Sequence, residues 1–264
     1  MARRTALITG ASAGIGAAFA EVFAARDFDL IVTSRREARL RALAESLAER
    51  HGVAVHVMPA DLAQHQAPQQ LCDEIARAGL TVDALVNNAG FGVPGAFDAA
   101  RWNAHVDLLQ VMVVAVAELT YRLLPGMIER RYGRIINVAS LAGMLPPPAG
   151  HTLYPAAKAF VIRFSQSLAE EVRRHNVHVT ALCPGFTLSE FHDVTDTRDR
   201  VNKLPGFMWM DAATVAQQGF DAVMEGRPVL ITGTVNRGIS VVGRLFPGMF
   251  ARFQRRFSWA YRKP

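Results

Sequence analysis

Short apolar runs alternate with longer helix-period segments along most of this chain of 264 residues. Several of the runs are apolar without alternation, which is typical of parallel strands that are covered on both faces. The strand candidates are residues 5–9, 29–34, 53–58, 84–87, 134–139, 178–183 and 229–232. The helix candidates lie between them, at about 14–26, 36–50, 64–78, 101–130, 152–174 and 211–224. The pattern predicts an α/β fold, a Rossmann-type doubly wound parallel sheet of about seven strands with helices on both faces.

Composition narrows the class of protein. Half of the residues are apolar, which allows a sizeable core, and no apolar run reaches the roughly 18 residues of a membrane span. The apolar run at the N-terminus is too short for a signal peptide, so we expect a cytoplasmic protein. Two cysteines make no disulfide framework, and no His, Cys or carboxylate spacing indicates a metal site.

A glycine-rich turn, TGASAGIG at 9–16, joins the first predicted strand to the first predicted helix. Glycines let the backbone approach a pyrophosphate, and a helix N-terminus offers N–H donors and positive potential to an anion. The spacing G-x-x-x-G-x-G differs from the commoner dinucleotide motif, and a turn without a ligand is the alternative. The turn residues predicted to bind a dinucleotide are Gly10, Ser12, Ala13, Gly14, Ile15 and Gly16.

Two basic residues, Arg35 and Arg36, follow the second predicted strand, where an acid would bind the ribose hydroxyls of NAD. A guanidinium instead suits a 2′-phosphate by its charge and by its fork of donors. Arg35 therefore predicts NADP rather than NAD as the cofactor, with a solvated basic helix start as the alternative.

Tyr154 and Lys158 stand four residues apart in a predicted helix, so both side chains can point into one site. A free tyrosine, with a pKa of about 10, is a poor acid–base catalyst at neutral pH. A fixed positive charge nearby would lower that pKa and let Tyr154 exchange a proton with a carbonyl or alcohol oxygen. Ser140 could hold the same oxygen, which makes these three residues the catalytic candidates.

These segments together resemble the short-chain dehydrogenase/reductase family in its compact single-domain form, over roughly residues 5–233. The motifs that carry the resemblance occur in a fixed order along the chain. They are TGASAGIG at 9–16, Asp61-Leu62, Asn87-Asn88-Ala89-Gly90, Ser140, Tyr154-x-x-x-Lys158 and Pro184-Gly185.

The resemblance implies roles at the matching positions. Tyr154 would be the acid–base residue, Lys158 would hydrogen-bond the nicotinamide ribose and lower the pKa of the tyrosine, and Ser140 would orient the substrate oxygen. Asp61 and Leu62 would meet the adenine. The positions implied along the cofactor from the adenine ribose and pyrophosphate to the nicotinamide are Asn88, Ala89, Gly90, Pro184, Gly185, Thr187 and Ser189.

Three further expectations follow from the resemblance. Asn87 would brace the central strand, and the chain would form a homo-oligomer, as dimers or tetramers are frequent in the family. Met112 stands where the family usually has an asparagine that helps to hold a water in a proton relay from the lysine. Methionine cannot act like an amide, so we expect a slower or altered relay.

Apolar residues flank the predicted catalytic set, at 141–148 and again in the long stretch 184–210. In this fold both segments border the nicotinamide, which favours a hydrophobic carbonyl or alcohol as substrate. The alternative is that these side chains only pack a lid or a subunit contact. His151 and His192 could touch polar groups of the substrate, although a loop histidine is more often solvated.

We divide the chain into one catalytic domain, 1–238, which includes a substrate loop at 184–210, and a basic aromatic tail, 239–264. The six basic residues of the tail equal the net charge of +6, so the domain is neutral and lacks the basic face that nucleic acid requires. After Pro247, the spacing places Phe250, Phe253 and Phe257 on one helix face. That face would pack on the domain or a partner subunit, or would rest peripherally on an anionic membrane.

The sequence therefore predicts an NADP-dependent oxidoreductase that transfers a hydride between the cofactor and a carbonyl or secondary alcohol. The rival hypothesis is a dinucleotide-binding sensor or scaffold with little turnover, for which Met112 is the supporting feature.

Overall fold

The computed structural model describes residues 3–147, 149–191 and 205–257. Its strands are β1 (Thr5–Thr9), β2 (Asp29–Thr33), β3 (Val55–Val57), β4 (Ala84–Asn87), β5 (Gly133–Val138), β6 (Val177–Cys183), β7 (Phe186–Leu188), β8 (Trp209–Asp211) and β9 (Val229–Ile231). Its α-helices are α1 (Gly14–Ala24), α2 (Glu37–His51), α3 (Ala67–Arg77), α4 (Trp102–Leu109), α5 (Ala115–Glu129), α6 (Leu153–Val172), α7 (Ala212–Met224), α8 (Thr234–Leu245) and α9 (Pro247–Phe257).

Seven strands form one parallel sheet in the order β3-β2-β1-β4-β5-β6-β9, which confirms the predicted Rossmann-type architecture. Each of the seven predicted strands is present, and β3 is shorter than predicted. The chain winds outward in both directions from β1, which pairs with β2 on one side and β4 on the other. Ligands bind in sheets of this kind beyond the carboxyl ends of the strands, where the order reverses.

Alternate residues of β1 point to two separate apolar layers, because successive side chains of a strand face opposite sides of the sheet. Ala6 and Ile8 pack in the layer that contains Phe19 and Phe23 of α1. Leu7 packs in the opposite layer, with side chains from α4, α5 and α6. Burial on both faces explains why these strands are apolar without alternation.

The predicted helix at 101–130 is one apolar helical segment. A π-helical turn, Gln110–Val114, separates its two α-helical parts, α4 and α5. Among the described residues, Trp102–Glu129 is long and apolar enough to span a membrane by length and composition. Its Leu108, Met112 and Leu119 side chains are fully buried against the sheet, as expected for a core helix of this fold.

Two features were not predicted. Strands β7 and β8 pair in a small parallel sheet of their own, almost entirely inside the predicted substrate loop at 184–210. Helix α8 follows Gly233 directly, and the predicted helix after Pro247 is present as α9. The division between residues 238 and 239 stays a prediction, and both residues lie in α8.

Candidate active site

A cavity of about 900 Å³ opens at the carboxyl ends of the sheet strands. It runs from the glycine turn and the end of β2 to the segment after β6. Apart from Gly16, all of the predicted site residues line it: Gly10, Ser12, Ala13, Gly14, Ile15, Arg35, Asp61, Leu62, Asn88, Ala89, Gly90, Ser140, Tyr154, Lys158, Pro184, Gly185, Thr187 and Ser189.

The glycine turn has the conformation that close approach to a ligand requires. Gly14 has φ +56°, a left-handed value that residues with a Cβ rarely adopt, and it begins α1. A Cβ on Gly14 would come within 2.8 Å of the Ser189 side chain, so the segment after β7 crosses directly over the turn. A Cβ on Gly16 would meet the carbonyl oxygen of Gly10 at 2.3 Å, which explains why this glycine supports the turn without lining the cavity.

Asn88 and Thr9 hold the turn against the end of β4. The Asn88 amide donates to the carbonyl oxygens of Thr9 and Gly10, and the Thr9 hydroxyl accepts from the backbone of Asn88 and Ala89. Asn87 instead donates to Asn137 and Thr120 in the buried centre of the sheet, the bracing position expected for it.

Basic side chains surround an anionic group at the end of the cavity beside β2. Arg36 and Arg39 both bind the carboxylate of Glu190, at 2.6 and 2.7 Å. The Arg36 Nε atom also donates to the Ser12 hydroxyl at 3.0 Å. Arg35, the residue predicted for the 2′-phosphate, lines the cavity and forms no ion pair in the described part of the chain.

The predicted catalytic residues converge at the other end. The Ser140 hydroxyl hydrogen-bonds the Tyr154 phenol. Lys158 is buried, its Nζ atom lies 5.7 Å from the centre of the Tyr154 ring, and it donates to the carbonyl oxygen of Val138 at 2.7 Å. The three side chains thus come from the end of β5 and the first turns of α6.

The pKa of Tyr154 differs from the sequence expectation. Burial raises this pKa to about 12, and the hydrogen bond from Ser140 offsets only part of the rise. Burial also lowers the pKa of Lys158 to about 8. Desolvation disfavours the charged form of both groups.

A glycine fixes the distance between Ser140 and α6. Ser140 caps a single 3₁₀ turn, Leu141–Gly143, by accepting a hydrogen bond from the backbone of Ala142 at 3.1 Å. A Cβ on Gly143 would approach the backbone of Lys158 and Ala159 at 2.7 Å. Only glycine therefore lets the turn pack directly on the helix that carries Tyr154 and Lys158.

Met112 lies beside Lys158, as the resemblance implies. It belongs to the π-helical turn and is 1% exposed. A Cβ built on Gly90 would meet the Met112 sulfur at 3.6 Å and the Lys158 Nζ atom at 3.8 Å, so the three residues are close neighbours. Gln110, in the same turn, has a buried amide nitrogen with no hydrogen-bond partner among the described residues.

The part of the cavity beside Tyr154 is largely apolar. Its walls include Leu141, Leu145, Pro146, Phe186, Phe191 and Met208. His151 is buried, in contrast to the solvated loop histidine expected, and its ring stacks on that of Tyr154 with centroids 4.7 Å apart. His192, like the rest of 192–204 in the substrate loop, lies outside the described residues.

Several cavity residues were missed by sequence reasoning. Glu190, Asn236, Ile239 and Phe250 belong to no motif, and the last three come from α8 and α9. Asn236 packs so tightly that a Cβ on Gly185 would lie 2.4 Å from its amide oxygen. The sequence could have indicated Glu190 because it lies two residues after β7 and next to Ser189, which is predicted to bind the cofactor.

The residues present fit a phosphorylated dinucleotide. The N-terminus of α1 faces the cavity at the glycine turn, where backbone N–H groups favour phosphate. The Glu190 carboxylate is an internal anion that Arg36 and Arg39 already bind, so the same guanidiniums can accept a 2′-phosphate. The cavity volume is at the upper end of the range for small-molecule sites, which a dinucleotide together with a substrate would need.

The comparisons with known proteins all indicate the same family. The family model described as short chain dehydrogenase matches residues 4–199. Sulfoacetaldehyde reductase 2 of Chromohalobacter salexigens is 38% identical over 190 residues, which cover 70% of this chain and 73% of that protein.

Two solved structures extend the similarity. A short-chain dehydrogenase from Sphingobium yanoikuyae in complex with NADPH has a TM-score of 0.81 and 30% identity, and the match covers 93% of this chain and 94% of that one. The bulky-bulky ketone specific alcohol dehydrogenase from Comamonas testosteroni has a TM-score of 0.77 and 30% identity, with 93% of each chain covered.

Proposed function

Because the chain belongs to the short-chain dehydrogenase family of oxidoreductases, we propose that it transfers a hydride between NADP(H) and a carbonyl or secondary alcohol of a hydrophobic substrate. The observation that carries this proposal is the convergence of Ser140, Tyr154 and Lys158 at the end of the cavity opposite the arginines. Acid–base residues at one end and anion-binding residues at the other suit a dinucleotide whose reactive ring lies beside the tyrosine.

Tyr154 supplies the proton in this proposal. With a pKa near 12 its phenol stays protonated at neutral pH, which is the form that can donate to a carbonyl oxygen during reduction. Ser140, which already hydrogen-bonds the phenol, holds the same oxygen in place. Bound NADPH supplies the hydride to the carbonyl carbon.

Lys158 has a positioning role. Its ammonium is fixed by the Val138 carbonyl oxygen and faces the cavity, where it can hydrogen-bond a ribose and restore the proton on Tyr154 through a relay. Met112 beside it offers no amide, so the relay must use the backbone carbonyl of that turn or solvent that enters the cavity.

NADP is proposed over NAD on the basis of charge. Arg36 donates to the Ser12 hydroxyl and shares the Glu190 carboxylate with Arg39, and Arg35 adds a third guanidinium to the cavity wall. The NADPH complex of the Sphingobium yanoikuyae relative supports the same choice. In this arrangement Arg36 joins Arg35 as a residue for the 2′-phosphate.

The substrate is proposed to be a hydrophobic carbonyl compound. The apolar wall formed by Leu145, Phe186, Phe191 and Met208 offers few polar partners besides the catalytic set and His151. The ketone preference of the Comamonas testosteroni relative supports this class, whereas sulfoacetaldehyde, the substrate named for the Chromohalobacter salexigens relative, is small and charged.

The test is NADPH oxidation across a panel of hydrophobic ketones and aldehydes. Removal of an acid–base residue costs about 10²–10⁴-fold, so Tyr154→Phe should lower kcat by that factor while NADPH binding is retained. Tyr121→Phe, an exposed change on α5, is the matched control and should leave turnover unaltered. Tight NADPH binding with no turnover on any panel member would favour the sensor hypothesis instead.

A further inference from the structure

Helix α8 exposes most of its apolar residues and buries small polar ones. Val235, Val242 and Leu245 are 41%, 43% and 67% exposed, and their spacing places them on one side of the helix. The opposite face, Asn236, Ser240 and Gly243, is buried against the domain. A surface helix normally has its apolar stripe against the core, so this arrangement is inverted.

The exposed apolar surface continues past the end of the helix. Val241 lies next to the stripe, and Phe246 and Met249, at the turn into α9, are 54% and 60% exposed. Contiguous apolar surface of this kind marks an interaction site, whereas single exposed side chains need no explanation.

Charge identifies the kind of partner. Every charged residue after Glu225 is an arginine or a lysine. Arg237 and Arg244 are exposed and lie two helical turns apart, so they flank the apolar stripe along one edge, and Arg252 of α9 is exposed as well. Apolar side chains flanked by arginines suit an anionic lipid surface, where each basic residue strengthens binding.

A second copy of this chain suits the exposed apolar surface less well than an anionic membrane does. An isologous dimer contact would place the same patch on both partners and would therefore bring like-charged arginines together. Anionic headgroups carry the complementary charge and impose no such repulsion.

We propose that α8 and the start of α9 form a docking surface for anionic membranes, with Val235, Val241, Val242, Leu245, Phe246 and Met249 entering the headgroup region. The inner sides of the same two helices reach the cavity, since Ile239 and Phe250 line it. Docking would thus place the apolar cavity wall next to lipid, a source of hydrophobic carbonyl substrates; this last step rests on the proposed function, while the docking itself does not.

The full-length protein should be sedimented with phosphatidylcholine vesicles that contain or lack phosphatidylglycerol. We expect binding to the anionic vesicles, strongly reduced by L245D together with F246S, two changes at exposed positions. Arg237→Gln should weaken it about fivefold, in line with the contribution of one basic residue at such a surface. Tyr121→Ser, which removes a more exposed apolar side chain from α5, is the matched control and should pellet like the wild type.

Pelleting needs no turnover, so its outcome is independent of the proposed activity. Equal amounts in the pellet with and without anionic lipid would overturn the proposal. So would an oligomer, measured by light scattering, that the L245D and F246S changes dissociate while vesicle binding is absent, because the patch would then be a subunit contact.

Discussion

At the scale of single residues, burial sets the chemistry of the candidate site more than the neighbouring charge does. The spacing of Tyr154 and Lys158 indicates correctly that they share a face, but spacing does not report how dry the site is. The cavity walls raise the pKa of the phenol and lower that of the ammonium. A sequence cannot give such values, because desolvation depends on which distant segments close the cavity.

The kcat/KM of carbonyl reduction should fall above neutral pH because Lys158 loses its proton there. Its pKa is lowered to about 8, so the ammonium is present below that value and is lost as the pH rises through it. We therefore expect kcat/KM to fall above a pH of about 8, measured as NADPH oxidation at saturating cofactor. Lys158→Arg keeps its charge at higher pH, so the fall in kcat/KM should move to higher pH. If the fall stays at the same pH, it belongs to another group.

Glu190 should compete with the cofactor for Arg36 and Arg39. Glu190→Gln removes the carboxylate while keeping its shape, and exposed ion pairs are worth up to about 1 kcal/mol. NADPH affinity should therefore rise about two- to fivefold, with a smaller gain for NADH, when both are titrated by fluorescence. Added salt should shrink the difference, since these groups are solvent-exposed. Weaker NADPH binding in the variant would mean that Glu190 supports the cofactor.

At the scale of elements, the seven sheet strands were predictable because each is a local apolar run bounded by turn residues. The pairing of β7 with β8 was not, because each strand is only three residues long, too short for an apolar run to stand out from a loop. Helix α8 escaped prediction for another reason. Its residues do carry a helical apolar period, but the segment follows the last predicted strand and turns its apolar residues outward, so core packing gave no reason to expect it.

The contact between the Ser140 turn and α6 should tolerate no side chain. Gly143→Ala would place a Cβ 2.7 Å from backbone atoms of α6, and those atoms cannot move away as a flexible side chain would. Displacement of Ser140 by about an ångström costs up to 10²-fold in rate, so kcat should fall roughly 10- to 100-fold. Gly238→Ala, in α8 with nothing within 4 Å, is the control and should leave kcat unchanged. Full activity of Gly143→Ala would show that the turn can shift without moving the hydroxyl.

At the scale of the whole molecule, the candidate site joins segments from nearly the entire chain. Cavity residues run from Gly10 after β1 to Phe250 in α9, so ligand binding should be coupled to the stability of the complete fold. The strand order creates this coupling, because the reversal beside β1 brings the glycine turn and the Tyr154 segment to one edge of the sheet.

NADPH should therefore raise the thermal midpoint of the entire domain. A ligand at about 100 times its Kd stabilises the folded state by about 2.7 kcal/mol. For a domain of this size, each kcal/mol raises Tm by roughly 2–4 °C, so scanning calorimetry should give an increase of about 5–10 °C. NADH at equal concentration should give a smaller increase, and Arg36→Ala should remove most of the difference between the two cofactors. An equal increase for both in the wild type would contradict the assignment of the arginines to the 2′-phosphate, whereas no increase with either would contradict dinucleotide binding itself.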